Sequence, residues 1–269
     1  MIERLARLDD PRVAAYAHVA DAAWLRNHGL FVAEGRLVVQ RLIEDRRLRI
    51  DSILITPPAA KALEQVLANS GCPVYVCAQD ELEALSGINF HRGCLALAHR
   101  PPPVPLESLA HLRLLVALEK VADPDNVGSI FRNALAFGVD GVIVDSACAD
   151  PLYRKAIRTS MAATLRLPFT RLDRWPDGLR PLRDAGFTVL ALTPDASAID
   201  IDAVAGARPE RMILMFGSEG DGLSPEAVDT ADLRVRIPID RRGDSLNVAV
   251  AAGIALHRLG VVGGRGHSE

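Results

Sequence analysis

Asn126 and Arg132, Glu219 within a run of three glycines, and Ser245 with Asn247 are the side chains in this sequence best suited to hold and orient a polar ligand. They fall in three stretches: Asp123-Pro-Asp-Asn-Val-Gly-Ser-Ile-Phe-Arg132, Phe216-Gly-Ser-Glu-Gly-Asp-Gly-Leu-Ser224, and Ile237-Pro-Ile leading on to Ser245-Leu-Asn-Val248. Each begins where an apolar run of strand character ends. In an open α/β sheet, the loops at the carboxyl ends of the strands are where ligands bind. Three polar loops in that position predict a single shared site.

The residues limit what such a site can do. Asn126 and Arg132 lie six apart, at the start of a helix and within it, and are expected to face the loop side together. Helix capping by Asn126, with Arg132 simply at the surface, is the plainer reading of this loop. Three glycines in Gly217–Gly222 let the backbone wrap a ligand at angles barred to other residues. No Gly-Lys-Ser/Thr follows, so this is no phosphate P-loop, and the dinucleotide Gly-x-Gly-x-x-Gly spacing is missing. Glu219 suits a cationic or hydroxyl-bearing ligand, or the orientation of an arginine. Ser245 is placed as N-cap of the last helix, with Asn247 in its first turn.

The elements around these loops alternate. After residue 106, strand-like runs cover 112–118, 141–144, 187–192, 212–216 and 233–239, with helical stretches at 127–137, 151–163, 174–185 and 246–259. That alternation predicts a parallel sheet covered on both faces. Arg100-Pro-Pro-Pro-Val-Pro105 is a stiff spacer. It divides a small mixed α/β domain (1–100) from a larger one (107–269), with 101–106 as linker. In the small domain, 34–45 and 59–69 read as helices, and 51–57, 73–77 and 93–98 as strands.

Composition sets the outer bounds. Of 269 residues, 49% are hydrophobic and 24% charged, enough for a substantial core in a soluble protein. No run reaches the roughly 18 apolar residues of a membrane helix, and no signal peptide is visible, so a cytoplasmic location is expected. Cys72, Cys77, Cys94 and Cys148 lack zinc-site spacing, and buried free thiols with no metal are expected. Net charge is −3, which excludes a uniformly basic nucleic-acid binder. Local clusters (Arg46, Arg47 and Arg49; Arg154, Lys155 and Arg158; Arg166, Arg171 and Arg174; Arg241 and Arg242) are either solvated faces or phosphate-binding patches.

The three stretches resemble the signature motifs of the SpoU-type (TrmH-like) RNA ribose 2′-O-methyltransferases of the SPOUT superfamily. Asn126, Gly128 and Arg132 match the Asn-x-Gly-x-x-x-Arg element. Gly217–Ser224 matches the Gly-Ser-Glu-Gly-x-Gly-Leu-Ser element, and Ile237-Pro-Ile with Ser245-Leu-Asn-Val-Ala249 the Ile-Pro-Met…Ser-Leu-Asn-Val-Ser element. Two departures stand out: Ile239 replaces the usual Met and Ala249 the final Ser. More softly, Phe31–Gly35 and His91–Ala96 resemble the ribosomal-protein-type domain with which many members grip folded RNA.

The resemblance implies a SPOUT-type parallel sheet with a C-terminal trefoil knot, plus a small N-terminal α/β RNA-binding domain. It implies a homodimer with the site near the subunit interface, and S-adenosylmethionine as cofactor. Cofactor contacts carry over to Thr193, Gly217, Ile237, Ile239 and Leu246. Asn126, Arg132, Glu219, Ser245 and Asn247 are the expected catalytic set: Arg132 to stabilise emerging charge and hold the nucleotide's phosphate, Asn126 to orient the ribose, Glu219 to position Arg132, and Ser245 and Asn247 to fix the third loop. A guanidinium with a pKa above about 12 is no proton acceptor. The extra domain and the basic cluster Arg154, Lys155 and Arg158 favour RNA over a small molecule, and the extra domain favours ribosomal over transfer RNA. A transfer-RNA enzyme, an assembly factor that has lost catalysis (on the strength of Ala249), and a dinucleotide-dependent enzyme are the alternatives.

Overall fold

The structure is a computed structural model that describes residues 2–5, 7, 9–87, 93–240, 242 and 245–260. His91, Arg92 and Arg241, singled out above, lie outside the described residues. The chain separates into two compact units: Met1–Pro102 with Pro151–Leu165, and Pro103–Asp150 with Arg166–Glu269. The break falls inside the proline run. The 151–165 segment, which the sequence reading assigned to the larger domain, groups with the first unit.

The first unit carries β1 (Ile2–Arg4), β2 (Leu30–Glu34), β3 (Ile50–Ile55), β4 (Val74–Val76) and β5 (Cys94–His99). They form one mixed sheet in the order β1-β4-β3-β5-β2, with β5 antiparallel to both its neighbours. Val32, Leu54, Leu95 and Leu97 from the sheet pack with Tyr16 and Leu82 in its core. β1 and β2 were not read as strands; β1 has three residues with only one apolar side chain, too few for a period to show.

Where 151–163 reads as one helix, the structure has a helix over Arg154–Thr159 and then two left-handed residues, Met161 (φ 53°) and Ala162 (φ 67°). The Ala162 N–H reaches back to the Ile157 carbonyl at 3.0 Å, the closure that ends helices with a left-handed residue. The basic cluster on this helix is largely committed. Arg154 contacts Glu34 at 2.5 Å, with the Glu34 side chain buried and that of Arg154 partly so, and Arg158 lies 3.7 Å from the same carboxylate. These arginines hold the segment beside β2, and the Arg158 side chain stays 40% exposed.

The second unit is built on β6 (Leu114–Leu118), β7 (Gly141–Asp145), β8 (Phe169–Leu172), β9 (Thr188–Leu192), β10 (Ile199–Asp200), β11 (Met212–Phe216) and β12 (Leu233–Arg236). All pair in parallel, in the order β10-β12-β9-β11-β6-β7-β8. Every residue of β6, β7 and β11 is buried, as the continuous apolar runs of a doubly covered parallel sheet require. Leu115, Ile143, Val189 and Ile213 meet Leu182 and Phe187 in the core on one face. A fully buried side chain of this size contributes about 1.5–3 kcal/mol. β8 and β10 escaped the sequence reading: one is a four-residue edge strand broken by Thr170 and Arg171, the other only two residues long.

Two helices matter for the site. Pro124–Ala136 starts on Asp123, whose side chain accepts the Asp125 N–H at 2.9 Å. Proline follows at the first helical position, where its missing N–H costs nothing. Asp123 rather than Asn126 is therefore the cap. The final helix, Val248–Leu259, packs against Pro124–Ala136, and the Asn133 carboxamide donates to the Ala249 carbonyl at 3.0 Å. Gly253 lies opposite: a Cβ there would come within 3.0 Å of the Asn133 amide nitrogen. No described helix is long and apolar enough to cross a membrane.

Candidate active site

Parallel pairing brings the first two loops together, because Phe216 lies in register with Leu118. After Phe216 the chain makes a closed turn: Ser218 N–H to Gly222 O at 3.2 Å, and Gly222 N–H to Ser218 O at 3.1 Å. Gly220 (φ 102°) and Gly222 (φ 69°) occupy the region that disfavours side chains. Gly217 is required for a different reason. A Cβ on it would sit 2.0 Å from the Gly222 carbonyl carbon, so any side chain there would force the backbone of the turn apart. Ser224 then caps the Pro225–Thr230 helix by accepting the Ala227 N–H at 3.2 Å.

This turn forms one wall of a cavity of about 530 Å³. Leu192, Phe216, Val228, Ile237 and Leu246 give it apolar sides. Thr193, Glu219, Ser245 and Asn247 add polar groups, and Ile239 contributes as well. Eight of the ten residues picked from sequence thus line one cavity. Backbone from the carboxyl ends of β9, β11 and β12 supplies most of the frame. Among the described residues no cluster of His, Cys, Asp or Glu is arranged to hold a metal.

Asn247 is the centre of the polar network, and it corrects the reading of the third loop. The last helix starts at Val248, so Asn247, not Ser245, is its N-cap: the Asn247 Oδ1 accepts from Ala249 N–H (2.9 Å) and Val250 N–H (3.1 Å). Ser245 lies two residues upstream, exposed on the cavity rim. The same carboxamide donates from Nδ2 to Asn126 Oδ1 at 3.0 Å and to the Glu219 carboxylate. All four of its hydrogen-bonding positions are used. Serine would cap without linking, and aspartate would cap while repelling Glu219. Asn126 is buried, and with Asn247 it also lines a second groove of about 510 Å³ between the two helices.

Arg132 lies apart from this network. It lines neither cavity, is exposed, and makes no hydrogen bond or ion pair among the described residues. Six residues of helix turn through about 600°, leaving the two side chains roughly 120° apart around the axis. Asn126 and Arg132 therefore do not face the loop side together. Glu219 does not hold Arg132 within this chain; it holds Asn247.

Two carboxylates missed from sequence brace the site. Glu119, only 2% exposed, accepts the Ser224 N–H at 2.8 Å. Asp145, 4% exposed, accepts Lys120 N–H at 3.1 Å and Cys148 N–H at 2.8 Å, holding the left-handed Lys120 (φ 53°) just after β6. An acid standing directly after an apolar strand was the available signal for both. Cys148 is buried, and burial with Asp145 nearby pushes its thiol up to about 12. All four cysteines are free and buried.

Residues 113–257 match the SpoU rRNA Methylase family. This chain belongs to the SpoU rRNA methylase family. An uncharacterized tRNA/rRNA methyltransferase of Mycobacterium bovis is 42% identical over 230 residues, covering 85% of this SpoU chain and 80% of that protein. The crystal structure of an AdoMet-bound rRNA methyltransferase from Sinorhizobium meliloti superposes with a TM-score of 0.82 at 26% identity, over 96% of this chain and 97% of that one. A SpoU methyltransferase from Streptomyces viridochromogenes, crystallised with AdoMet, shares the fold at 23% identity and a TM-score of 0.78, over 95% of this chain and 97% of that one. The motifs read as a resemblance are those of a SpoU methyltransferase.

Proposed function

We propose that this SpoU protein transfers a methyl group from S-adenosylmethionine to a ribose 2′-hydroxyl of ribosomal RNA, and does so as a homodimer whose C-terminal segment is threaded into a trefoil knot. The observation that carries the reading is the convergence of eight of the ten predicted residues, from three loops spread between Thr193 and Asn247, on one cavity of about 530 Å³. That volume lies within the range of cofactor sites. Its apolar walls fit a flat heterocycle, the glycine turn offers close-approaching backbone, and Glu219 suits a cationic group. Thr193, Gly217, Ile237, Ile239 and Leu246 would hold the cofactor, which supplies a sulfonium-activated methyl group when bound.

The remaining residues do the work of alignment. An alcohol is a weak nucleophile, so it must be oriented and its developing charge stabilised. Asn126 orients the ribose, held by Asn247, which Glu219 holds in turn. Arg132, uncommitted among the described residues, meets the substrate's phosphate and the emerging negative charge. It cannot serve as a base. The homodimer reading is supported by the groove between the helices, where Val250 and Ile254 are 51% and 37% exposed on the last helix. A second copy covering that groove would place the site beside the subunit boundary. The first unit would grip folded RNA through shape, phosphates and 2′-hydroxyls.

Label transfer from methyl-labelled S-adenosylmethionine to ribosomal and transfer RNA transcripts tests this. Label is expected in ribosomal RNA, at a nucleotide whose 3′ linkage becomes resistant to alkali. Label on a base, or none in either RNA, discards the reading. Label in transfer RNA alone moves the substrate.

A further inference from the structure

Glu119 lies outside the three motifs, yet both ends of the glycine turn are tied to it. Its backbone N–H donates to the Phe216 carbonyl at 2.9 Å, extending the pairing of β6 with β11 by one step. Its carboxylate accepts the Ser224 N–H at 2.8 Å, just past the far end of the turn. Phe216 leads into the turn, and Leu223, which lines the cavity, precedes Ser224. One residue thus fixes the distance between entry and exit.

The chemistry argues for more than packing. Glu119 is 2% exposed, and its chain neighbours Leu118 and Val121 are 0% and 2% exposed. Among the described residues it has that single N–H donor and no ion-pair partner. A buried carboxylate with so little compensation is costly, and an apolar side chain of similar size would pack there more favourably. Asp145 holds the next residue, Lys120, by its N–H, so the end of the strand is itself braced.

We propose that Glu119 is a positioning residue for cofactor binding, which sets the width of the glycine turn by holding Ser224. This rests on the reading of the cavity as the cofactor site. Losing the acceptor leaves the Ser224 N–H unsatisfied and the exit of the turn untethered. The effect falls on cofactor affinity, because the turn is a wall of that cavity, and not on the grip on RNA.

The test is calorimetric titration of S-adenosylmethionine into the full chain, with steady-state kinetics beside it. Glu119→Ala is expected to weaken cofactor binding by about tenfold or more, the consequence of one unsatisfied buried donor. KM for the cofactor rises accordingly, while KM for RNA and kcat at saturating cofactor stay near wild type. Glu119→Gln keeps an acceptor of the same length and is expected to restore most of the affinity. Wild-type affinity in Glu119→Ala overturns the proposal, as does a Glu119→Gln protein as weak as the alanine variant. If Glu119→Ala does not fold, Glu119→Asp decides: its shorter arm should weaken cofactor binding at an unchanged unfolding midpoint, and unaltered binding overturns the role. Gly217→Ala separates the two levels. Cofactor binding that survives it shows the cavity is not the cofactor site and removes both claims; binding sensitive to Gly217→Ala but not to Glu119→Ala removes this one alone.

Discussion

Asn126 and Arg132 belong to one helix and one motif, and their surroundings could hardly differ more. Asn126 is buried and joined through Asn247 to Glu219 in the glycine turn. Arg132 is exposed and unpaired among the described residues. The contrast divides the site in two. In one half, Asn126, Asn247 and Glu219 are hydrogen-bonded to one another within a single chain. In the other, Arg132 is a charged group with no partner among the described residues.

Substitutions can separate the halves. Arg132→Ala should produce the largest loss, about 10²–10³-fold in methyl transfer if it stabilises developing charge, with cofactor affinity unchanged by calorimetry. Near-normal turnover would end that role. Gly217→Ala should do the opposite. Its Cβ would overlap Gly222, and overpacking of about 1–3 kcal/mol should appear as roughly ten- to hundredfold weaker cofactor binding while RNA affinity in a filter assay holds.

Asn247→Asp is subtler. Aspartate caps a helix as well as asparagine, so the start of the last helix should be kept, and the unfolding midpoint should fall only by the few degrees that two lost hydrogen bonds imply. Loss of two donors, each worth about 0.5–1.5 kcal/mol, together with repulsion from Glu219, should still reduce kcat/KM by about tenfold. An unaffected enzyme would show the Asn126–Asn247–Glu219 link to be incidental. Ala249→Ser, which restores the residue usual in the family's third motif, should matter least. Ala249 engages Asn133 through its backbone carbonyl, which the substitution keeps, so turnover should change by less than a factor of about two, within the scatter of an ordinary substitution. A large gain would mean that the missing hydroxyl limits the native enzyme.

The sequence announced features that are local, or that depend on what only one residue type can do. Gly217, Gly220 and Gly222 stand where a side chain is excluded by a backbone contact or by positive φ, so their pattern shows without coordinates. β6, β7 and β11 were legible as unbroken apolar runs. What escaped was set by distant partners or by single-residue shifts. Glu119 acquires its meaning from Ser224, 105 positions later. The cap moved from Ser245 to Asn247 because the last helix begins two residues further on, and both types are good caps. Arg132 was misplaced by treating a turn and a helix as one continuous direction. Arg154 reads as a surface cation until Glu34 is seen beside it, 120 positions earlier in the chain.

The pairing of β6 with β11 couples this pocket to the completion of folding. Their partners, from Leu114 with Met212 to Leu118 with Phe216, join parts of the chain nearly a hundred residues apart, and such non-local parallel contacts form slowly. The ligand is therefore a probe of maturation: during refolding its uptake should lag behind the recovery of helical signal. Once bound, it raises the unfolding temperature in proportion to the logarithm of its concentration.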